Sequence, residues 1–132
     1  TQEGGLALLG LNYAVTGLYM GLVFAPNHIG MPLNPARPGA LAQILATRNI
    51  DVRPFWDPVW VGLNFQVEHH LFPRMSRFHL RRANRQVRRY CHERGIPVTT
   101  ARPFEAWYAV LATFHEAGRP LRRVKPTAGE HG

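Results

Sequence analysis

The residues best suited to chemistry lie in the sequence Asn-Phe-Gln-Val-Glu-His-His-Leu-Phe-Pro at positions 64–73. On a helix, Gln66, His69 and His70 stand at i, i+3 and i+4, so the three side chains project from one face. Neutral imidazole binds iron, zinc and copper, and a glutamine amide oxygen can bind a metal or orient a water. Glu68 lies off that face, and we expect it either to support a ligand through a hydrogen bond or to be solvated. Two histidines do not complete a metal site. The run therefore predicts one part of a larger site, with a polar network or a chance pair of histidines as the alternatives.

The element predicted to carry these side chains is a helix over residues 58–70. Asp57 is expected to cap its free N–H groups, and Pro58 fits the first helical turn. Upstream of it, the pattern predicts a short helix over residues 40–48 and a loop over residues 48–54.

Two further helices are predicted after the histidines. Ser76 is a typical N-cap and Gly95 a typical stop, and the residues between them form a basic amphipathic helix. Its apolar positions recur at three-and-four spacing and are Leu80, Ala83, Val87, Tyr90 and Cys91. The last helix begins at Pro103, ends at Gly118, and carries one apolar stripe made of Phe104, Trp107, Leu111 and Phe114.

A long uncharged stretch precedes all of these elements. Residues 4–25 contain no charged side chain, and as a helix they would extend about 33 Å, enough to cross a bilayer core of about 30 Å. Gly17 and Gly21 have the spacing that lets membrane helices approach closely. We predict a transmembrane helix that Pro26 ends; a buried helix of a soluble protein is the alternative.

Positive charge is concentrated in the second half of the chain. The net charge is +8, and eight arginines but only one carboxylate lie between residues 74 and 94. The favoured interpretation is a helix on the cytosolic membrane surface, which agrees with the positive-inside rule. Docking of an electron carrier or a lipid head group ranks second. Nucleic-acid binding is not expected, because no stacking aromatics alternate with the arginines. The arginines assigned to the membrane surface are Arg74, Arg77, Arg81, Arg82, Arg85, Arg88 and Arg89.

The motif Gln66-x-x-His69-His70-Leu-Phe-Pro resembles the third histidine box of membrane fatty acid desaturases, in the form found in the acyl-lipid and front-end branch. Residues 24–32 are similar to the family's segment after its last membrane span. Other similar stretches lie at residues 47–50, 80–82, 90–91 and 95–97, so the resemblance covers nearly the whole chain to about residue 117.

This resemblance implies two non-haem iron ions that activate O2 and remove two hydrogens from a fatty acyl chain. The substrate would be a fatty acyl lipid or an acyl thioester, and electrons would come from ferredoxin or a cytochrome b5-type protein. His69 and His70 would be iron ligands, and Gln66 a ligand or a hydrogen-bonding support for one. His28 matches a further ligand position, with Asn27 beside it as a support.

The chain departs from the family pattern because the first and second histidine boxes are missing from it. His79, His92, His115 and His131 do not recreate their spacing. We therefore expect the C-terminal portion of a desaturase that is inactive alone. A membrane diiron hydroxylase and a non-enzymatic, membrane-anchored basic module remain as alternatives.

The expected fold is all-α: part of an integral-membrane helical bundle, with one transmembrane helix followed by cytosolic and interfacial helices. Residues 1–26 would form the membrane helix, and residues 27–117 a cytosolic part with the histidines and the basic helix. Residues 118–132 would be a disordered tail.

Overall fold

The computed structural model describes residues 2–32 and 39–120. This part of the chain is mainly helical, as predicted, with one sheet of two very short strands. The elements in chain order are α1 (Gln2–His28), α2 (Ala40–Leu45), β1 (Asn49–Ile50), a 3₁₀ turn (Pro54–Trp56), α3 (Asp57–Trp60), a second 3₁₀ turn (Leu63–Phe65), α4 (Gln66–Leu71), α5 (Arg77–Glu93), β2 (Thr100–Ala101) and α6 (Pro103–Ala117).

Helix α1 is long and apolar enough to cross a membrane, and it alone qualifies within residues 2–32 and 39–120. Its 27 residues correspond to about 40 Å of helix. The helix passes through Pro26 and ends at His28, so the predicted end at Pro26 is two residues too early. Proline removes one backbone hydrogen bond, and the side-chain amide of Asn27 adds one in the same turn by donating to the Val23 carbonyl at 2.9 Å. Because the helix continues past Pro26, Asn27 and His28 belong to its last turn.

The segment over residues 48–54, predicted as a loop, contains strand β1. It pairs in parallel with β2, with Asn49 opposite Thr100 and Ile50 opposite Ala101. Both residues of β1 are buried. The pairing fastens the C-terminal part of the chain to the segment just ahead of α3.

Two small apolar clusters hold the helices together. One joins α1, β1, α3 and α6 through Val23, Ile50, Trp60 and Ala106. The other lies beneath α4 and joins it to α2 and α5 through Ile44, Val67, Val87 and Cys91. Helix α4 therefore rests on a core that is separate from the one around α1.

Helix α5 lies between Ser76 and Gly95, as the sequence predicts, although the Ser76 side chain makes no capping hydrogen bond. Helix α2 ends at Leu45, before the predicted end at residue 48. In α6 the buried residues are Ala106 and Val110. Its predicted stripe is largely exposed within the described part of the chain, since Phe104, Leu111 and Phe114 are all exposed. Most of the predicted tail, residues 121–132, lies outside the described residues.

Candidate metal centre

A sharp turn separates α3 from the helix that carries the histidines. Val61 and Gly62 both adopt left-handed backbone conformations, with φ of 54° and 85°. The prediction of a single helix over residues 58–70 is therefore wrong. The two left-handed residues interrupt the right-handed helix, so α3 ends at Trp60 and a new helix begins at Gln66. Glycine suits this turn for a second reason: a Cβ at Gly62 would lie only 2.8 Å from the Cβ of Arg77. As a result α4 begins afresh at Gln66 and has its own orientation.

Asp57 also differs from its predicted role. Its carboxylate does not cap α3. Instead it accepts a hydrogen bond of 2.8 Å from the Asn64 side chain and two from the guanidinium of Arg81, at 2.7 and 2.8 Å. The Arg81 guanidinium lies over the Phe65 ring, 5.2 Å from its centroid. These contacts hold the turn before α4 against α5.

Gln66, His28 and His70 meet at one point, although His28 lies 38 residues from Gln66 in sequence. The Gln66 amide nitrogen is 3.0 Å from the Nε2 atom of His28 and 3.0 Å from the Nε2 atom of His70. The two imidazole rings are 5.3 Å apart between centroids and nearly perpendicular. Gln66 Oε1 accepts a hydrogen bond from Asn27 at 3.3 Å, so the amide nitrogen is left to donate to both rings. Both Nε2 lone pairs are thereby held toward the same small region.

His69 lies at the edge of this group. Its ring is 5.9 Å from that of His70 between centroids, and both rings are half-buried. His28 is exposed. Across residues 2–32 and 39–120, no set of three or more His, Cys, Asp or Glu side chains is grouped closely enough to hold a metal ion. The described chain therefore supplies an incomplete but convergent set of nitrogen donors.

The electrostatic environment favours the neutral form of His70. Burial lowers the pKa of the His70 imidazole, and the neighbouring His28 and His69 lower it further. A neutral imidazole has one nitrogen lone pair, which is the group that binds a metal ion.

Glu68 is fully buried, which excludes the solvated position that the sequence left open. Its carboxylate accepts hydrogen bonds from Asn49 at 2.8 Å and from Asn84 at 3.0 Å. Burial raises the pKa of the Glu68 carboxyl, while its hydrogen bonds and the charge of Arg88 act in the opposite direction. Glu68 therefore lies in an interior polar cluster directly beside the histidines in sequence.

Asn27 fixes the end of α1 against the turn that precedes α4. Its buried amide nitrogen is 3.0 Å from the Leu63 carbonyl oxygen, in addition to its contacts with Val23 and Gln66. Just beyond, the guanidinium of Arg48 donates to the Ile29 carbonyl oxygen. These contacts fix the position of His28 relative to Gln66.

The arginines predicted to face a membrane differ in their surroundings. Arg81 is occupied by Asp57, as described above, so its principal contact is internal. Arg89 pairs with Glu93 at 2.9 Å on an exposed part of α5. The membrane-surface assignment of Arg74, Arg77, Arg81, Arg82, Arg85, Arg88 and Arg89 stays a prediction.

Four polar residues of this region were given no role from the sequence: the buried Arg48, Asn49 and Asn64 and the half-buried Asn84. All four act through contacts between residues that are distant in sequence or across a turn, so periodicity does not identify them, and the stretches at residues 47–50 and 64–73 include three of them without indicating these contacts. A usable signal would have been the pair Arg48-Asn49 followed at once by the apolar Ile50, which is unusual for an exposed loop.

Comparison with known proteins places these features in context. The sequence profile described as fatty acid desaturase matches residues 3–102. A Delta(6)-fatty-acid desaturase of Caenorhabditis elegans is 41% identical over 86 residues, which are 61% of this chain and 19% of that protein. An acyl-lipid (9-3)-desaturase of Physcomitrium patens is 36% identical over 69% of the chain and 18% of its own length. A Delta(8)-fatty-acid desaturase of Arabidopsis thaliana is 32% identical over 85% of the chain and 26% of its own length.

The matched part of the chain thus corresponds to about a fifth to a quarter of the length of these relatives. No solved structure matches the chain significantly.

Proposed function

This chain belongs to the fatty acid desaturase family, and from that premise we propose that it forms the C-terminal part of a diiron enzyme that introduces a C=C bond into a fatty acyl chain. The proposed reaction uses O2 and two electrons from a carrier such as ferredoxin or a cytochrome b5-type protein. The substrate is an acyl lipid or an acyl thioester. The described residues alone lack a full ligand set, so the remaining ligands would come from elsewhere in the protein.

The observation that carries this proposal is the convergence of two imidazole nitrogens on the Gln66 amide, each 3.0 Å away. His28 comes from the end of an apolar helix and His70 from a separate six-residue helix, yet their Nε2 lone pairs point to one region. Imidazole nitrogens suit iron, so these donors fit part of such a centre. When bound, the iron ions would supply activation of O2.

The roles proposed for the chain's own residues follow from their contacts. His28, His69 and His70 would hold iron. Gln66 would bind it or hold the rings of His28 and His70, because its amide nitrogen contacts both. Asn27 would orient Gln66 through the contact of 3.3 Å to Oε1.

The histidines and α5 are proposed to lie on the cytosolic side of the membrane. Supporting this, α1 delivers His28 at its C-terminal end, and the arginine-rich helix follows it, as the positive-inside rule expects. The exposed arginines of α5 would face anionic lipid head groups or the electron carrier.

The test is to replace each ligand candidate in the full-length protein and to measure bound iron and products. His28→Ala, His69→Ala and His70→Ala should each lower the iron content and abolish desaturation. His79→Ala and His92→Ala, exposed on α5, are matched controls that should keep both. Unchanged iron in all three variants would refute the ligand assignment. Mass spectrometry of the product separates loss of two hydrogens from gain of oxygen, which would identify a hydroxylase instead.

A further inference from the structure

Glu68 lies in an interior polar cluster that joins three separate parts of the chain. Its Oε2 accepts a hydrogen bond from the Asn49 amide at 2.8 Å, and its Oε1 accepts one from the Asn84 amide at 3.0 Å. Asn49 belongs to β1, Glu68 to α4 and Asn84 to α5. Each carboxylate oxygen therefore has a different amide donor, and each donor comes from a different element.

Asn49 holds α4 at two consecutive residues. While its amide nitrogen donates to Glu68, its amide oxygen accepts the backbone N–H of Val67 at 2.9 Å. Free N–H groups in the first turn of a helix need such acceptors. Two contacts at residues 67 and 68 prevent α4 from rotating about its axis, and the rotation of α4 decides where His69 and His70 point.

Helix α4 depends on such support because it has only six residues, whereas isolated helices shorter than about 12 residues are marginal in water. Its N-terminus also lacks a side-chain cap from the preceding residue, Phe65. The contacts from Asn49 and Asn84, together with the apolar packing of Val67, stabilise α4 where its own length and N-terminus do not.

The β1–β2 pair fixes Asn49 in turn. The Asn49 backbone N–H donates to the Thr99 carbonyl at 2.9 Å, and the N–H of Asp51 donates to the Ala101 carbonyl at 2.8 Å. These backbone hydrogen bonds on both sides of residue 50 fix the position from which the Asn49 side chain reaches α4. The C-terminal strand thus acts on the histidine helix through one asparagine.

From these contacts we infer that Asn49, Glu68 and Asn84 form a positioning clamp that sets the orientation of His69 and His70 for iron binding. This inference rests on the proposed function. None of the three touches the reacting atoms; they act through the helix that carries the ligands. Polar groups that support metal ligands typically contribute 10–100-fold to metal affinity.

The first test uses the full-length protein with Asn49→Ala, Asn84→Ala and Glu68→Gln, and with Gln86→Ala, exposed on α5, as the control. Titration of the iron-free protein with Fe²⁺ should give an affinity about 10–100-fold lower for the three clamp variants and unchanged for Gln86→Ala. Hydrogen exchange in the iron-free protein should be faster in the peptide covering α4 for the clamp variants only.

A second variant separates positioning from simple damage to the fold. Glu68→Gln removes the carboxylate charge and keeps only one of the two acceptor oxygens, so the charge-assisted hydrogen bonds from Asn49 and Asn84 are weakened. Adding Asn84→Asp places a carboxylate opposite the new amide and restores a charge-assisted hydrogen bond there, so the double variant should recover most of the iron affinity and the slow exchange of α4.

Three results would overturn the clamp. In the first, the clamp variants bind iron as the wild type does while His70→Ala does not, which leaves the proposed function standing. In the second, the double variant is folded but does not recover. In the third, wild-type protein binds no iron, which removes the proposed function together with the clamp.

Discussion

Gly62 allows a quantitative test of how the turn before the histidine helix is fixed. It has a φ of 85°, and a Cβ there would lie 2.8 Å from the Cβ of Arg77 and 3.2 Å from the Cδ1 of Leu80. A side chain in the left-handed region costs about 1–2 kcal/mol, and overpacking a well-packed contact costs about 1–3 kcal/mol. We therefore expect Gly62→Ala to lower the free energy of unfolding by about 2–5 kcal/mol.

Gly95→Ala is the matched control for this substitution. Gly95 also has a positive φ, 63°, but no atom lies within 4 Å of a Cβ built on it. Its replacement should lower the free energy of unfolding only by the backbone strain of about 1–2 kcal/mol. The difference between the two variants, about 1–3 kcal/mol, isolates the steric contact with the start of α5.

The assay is thermal unfolding of the protein in detergent micelles, followed by circular dichroism. A loss of 1 kcal/mol lowers the Tm of a domain of this size by about 4 °C. Gly62→Ala should therefore melt about 4–12 °C below Gly95→Ala. Equal Tm values for the two variants would refute the steric argument. A wild-type Tm for Gly62→Ala would refute the backbone argument as well.

Three further predictions concern the packing around the site. Arg81→Ala removes two hydrogen bonds to a carboxylate and a ring contact, so denaturant unfolding should show a loss of about 1 kcal/mol after allowance for partial exposure. Arg82→Ala, exposed on the same helix, should change stability by less than about 0.5 kcal/mol, and equal losses would contradict the role of the ion pair. Ala106 is fully buried, so Ala106→Leu should cost about 1–3 kcal/mol by overpacking; the exposed Ala117→Leu should be near neutral, and matching Tm values would argue against the packing of α6 on α1. Burial raises the pKa of the Cys91 thiol above its ordinary value of 9.0, so its contribution to stability is complete below that pH and is lost as the pH rises through the raised value. Between about pH 8 and 10, the free energy of unfolding should therefore fall less steeply with pH in Cys91→Ala than in the wild type. Identical slopes would rule out this contribution.

Local signals predicted the elements whose boundaries depend on nearby residues. Helix α5 lies between Ser76 and Gly95 as predicted; Gly95 has the positive φ typical of a residue that ends a helix, whereas the Ser76 side chain makes no capping hydrogen bond. The uncharged stretch likewise predicted α1, although the helix continues two residues past the predicted end at Pro26. These features need no knowledge of distant residues.

The errors arose where distant contacts override local preference. Asp57 has the sequence signature of a helix cap, yet its carboxylate binds Arg81, 24 residues away. Gly62 lies inside the helix predicted over residues 58–70, whereas in the structure it has a positive φ and packs closely against Arg77. In both cases the deciding partner lies on α5, and no local pattern indicates that α5 returns to this point.

The candidate site was predictable in part. Helical spacing placed Gln66 and His70 on one face, and the structure brings them within 3.0 Å. The nearness of His28 followed only from the resemblance, because 38 residues of chain separate it from Gln66. The asparagines around Glu68 were missed, since hydrogen bonds across three elements leave no periodic trace in the sequence.

The parallel pairing of β1 with β2 has a consequence for the order in which the site can form during synthesis. Thr100 pairs with Asn49, so the ribosome must add 51 further residues (100 − 49) after Asn49 before the strand can close. At roughly 5–20 residues per second, this takes about 3–10 s. His69 and His70 are made within that interval, when Asn49 is not yet held by its partner strand. A chain interrupted before residue 100 would then contain its histidines without the strand pairing that holds Asn49.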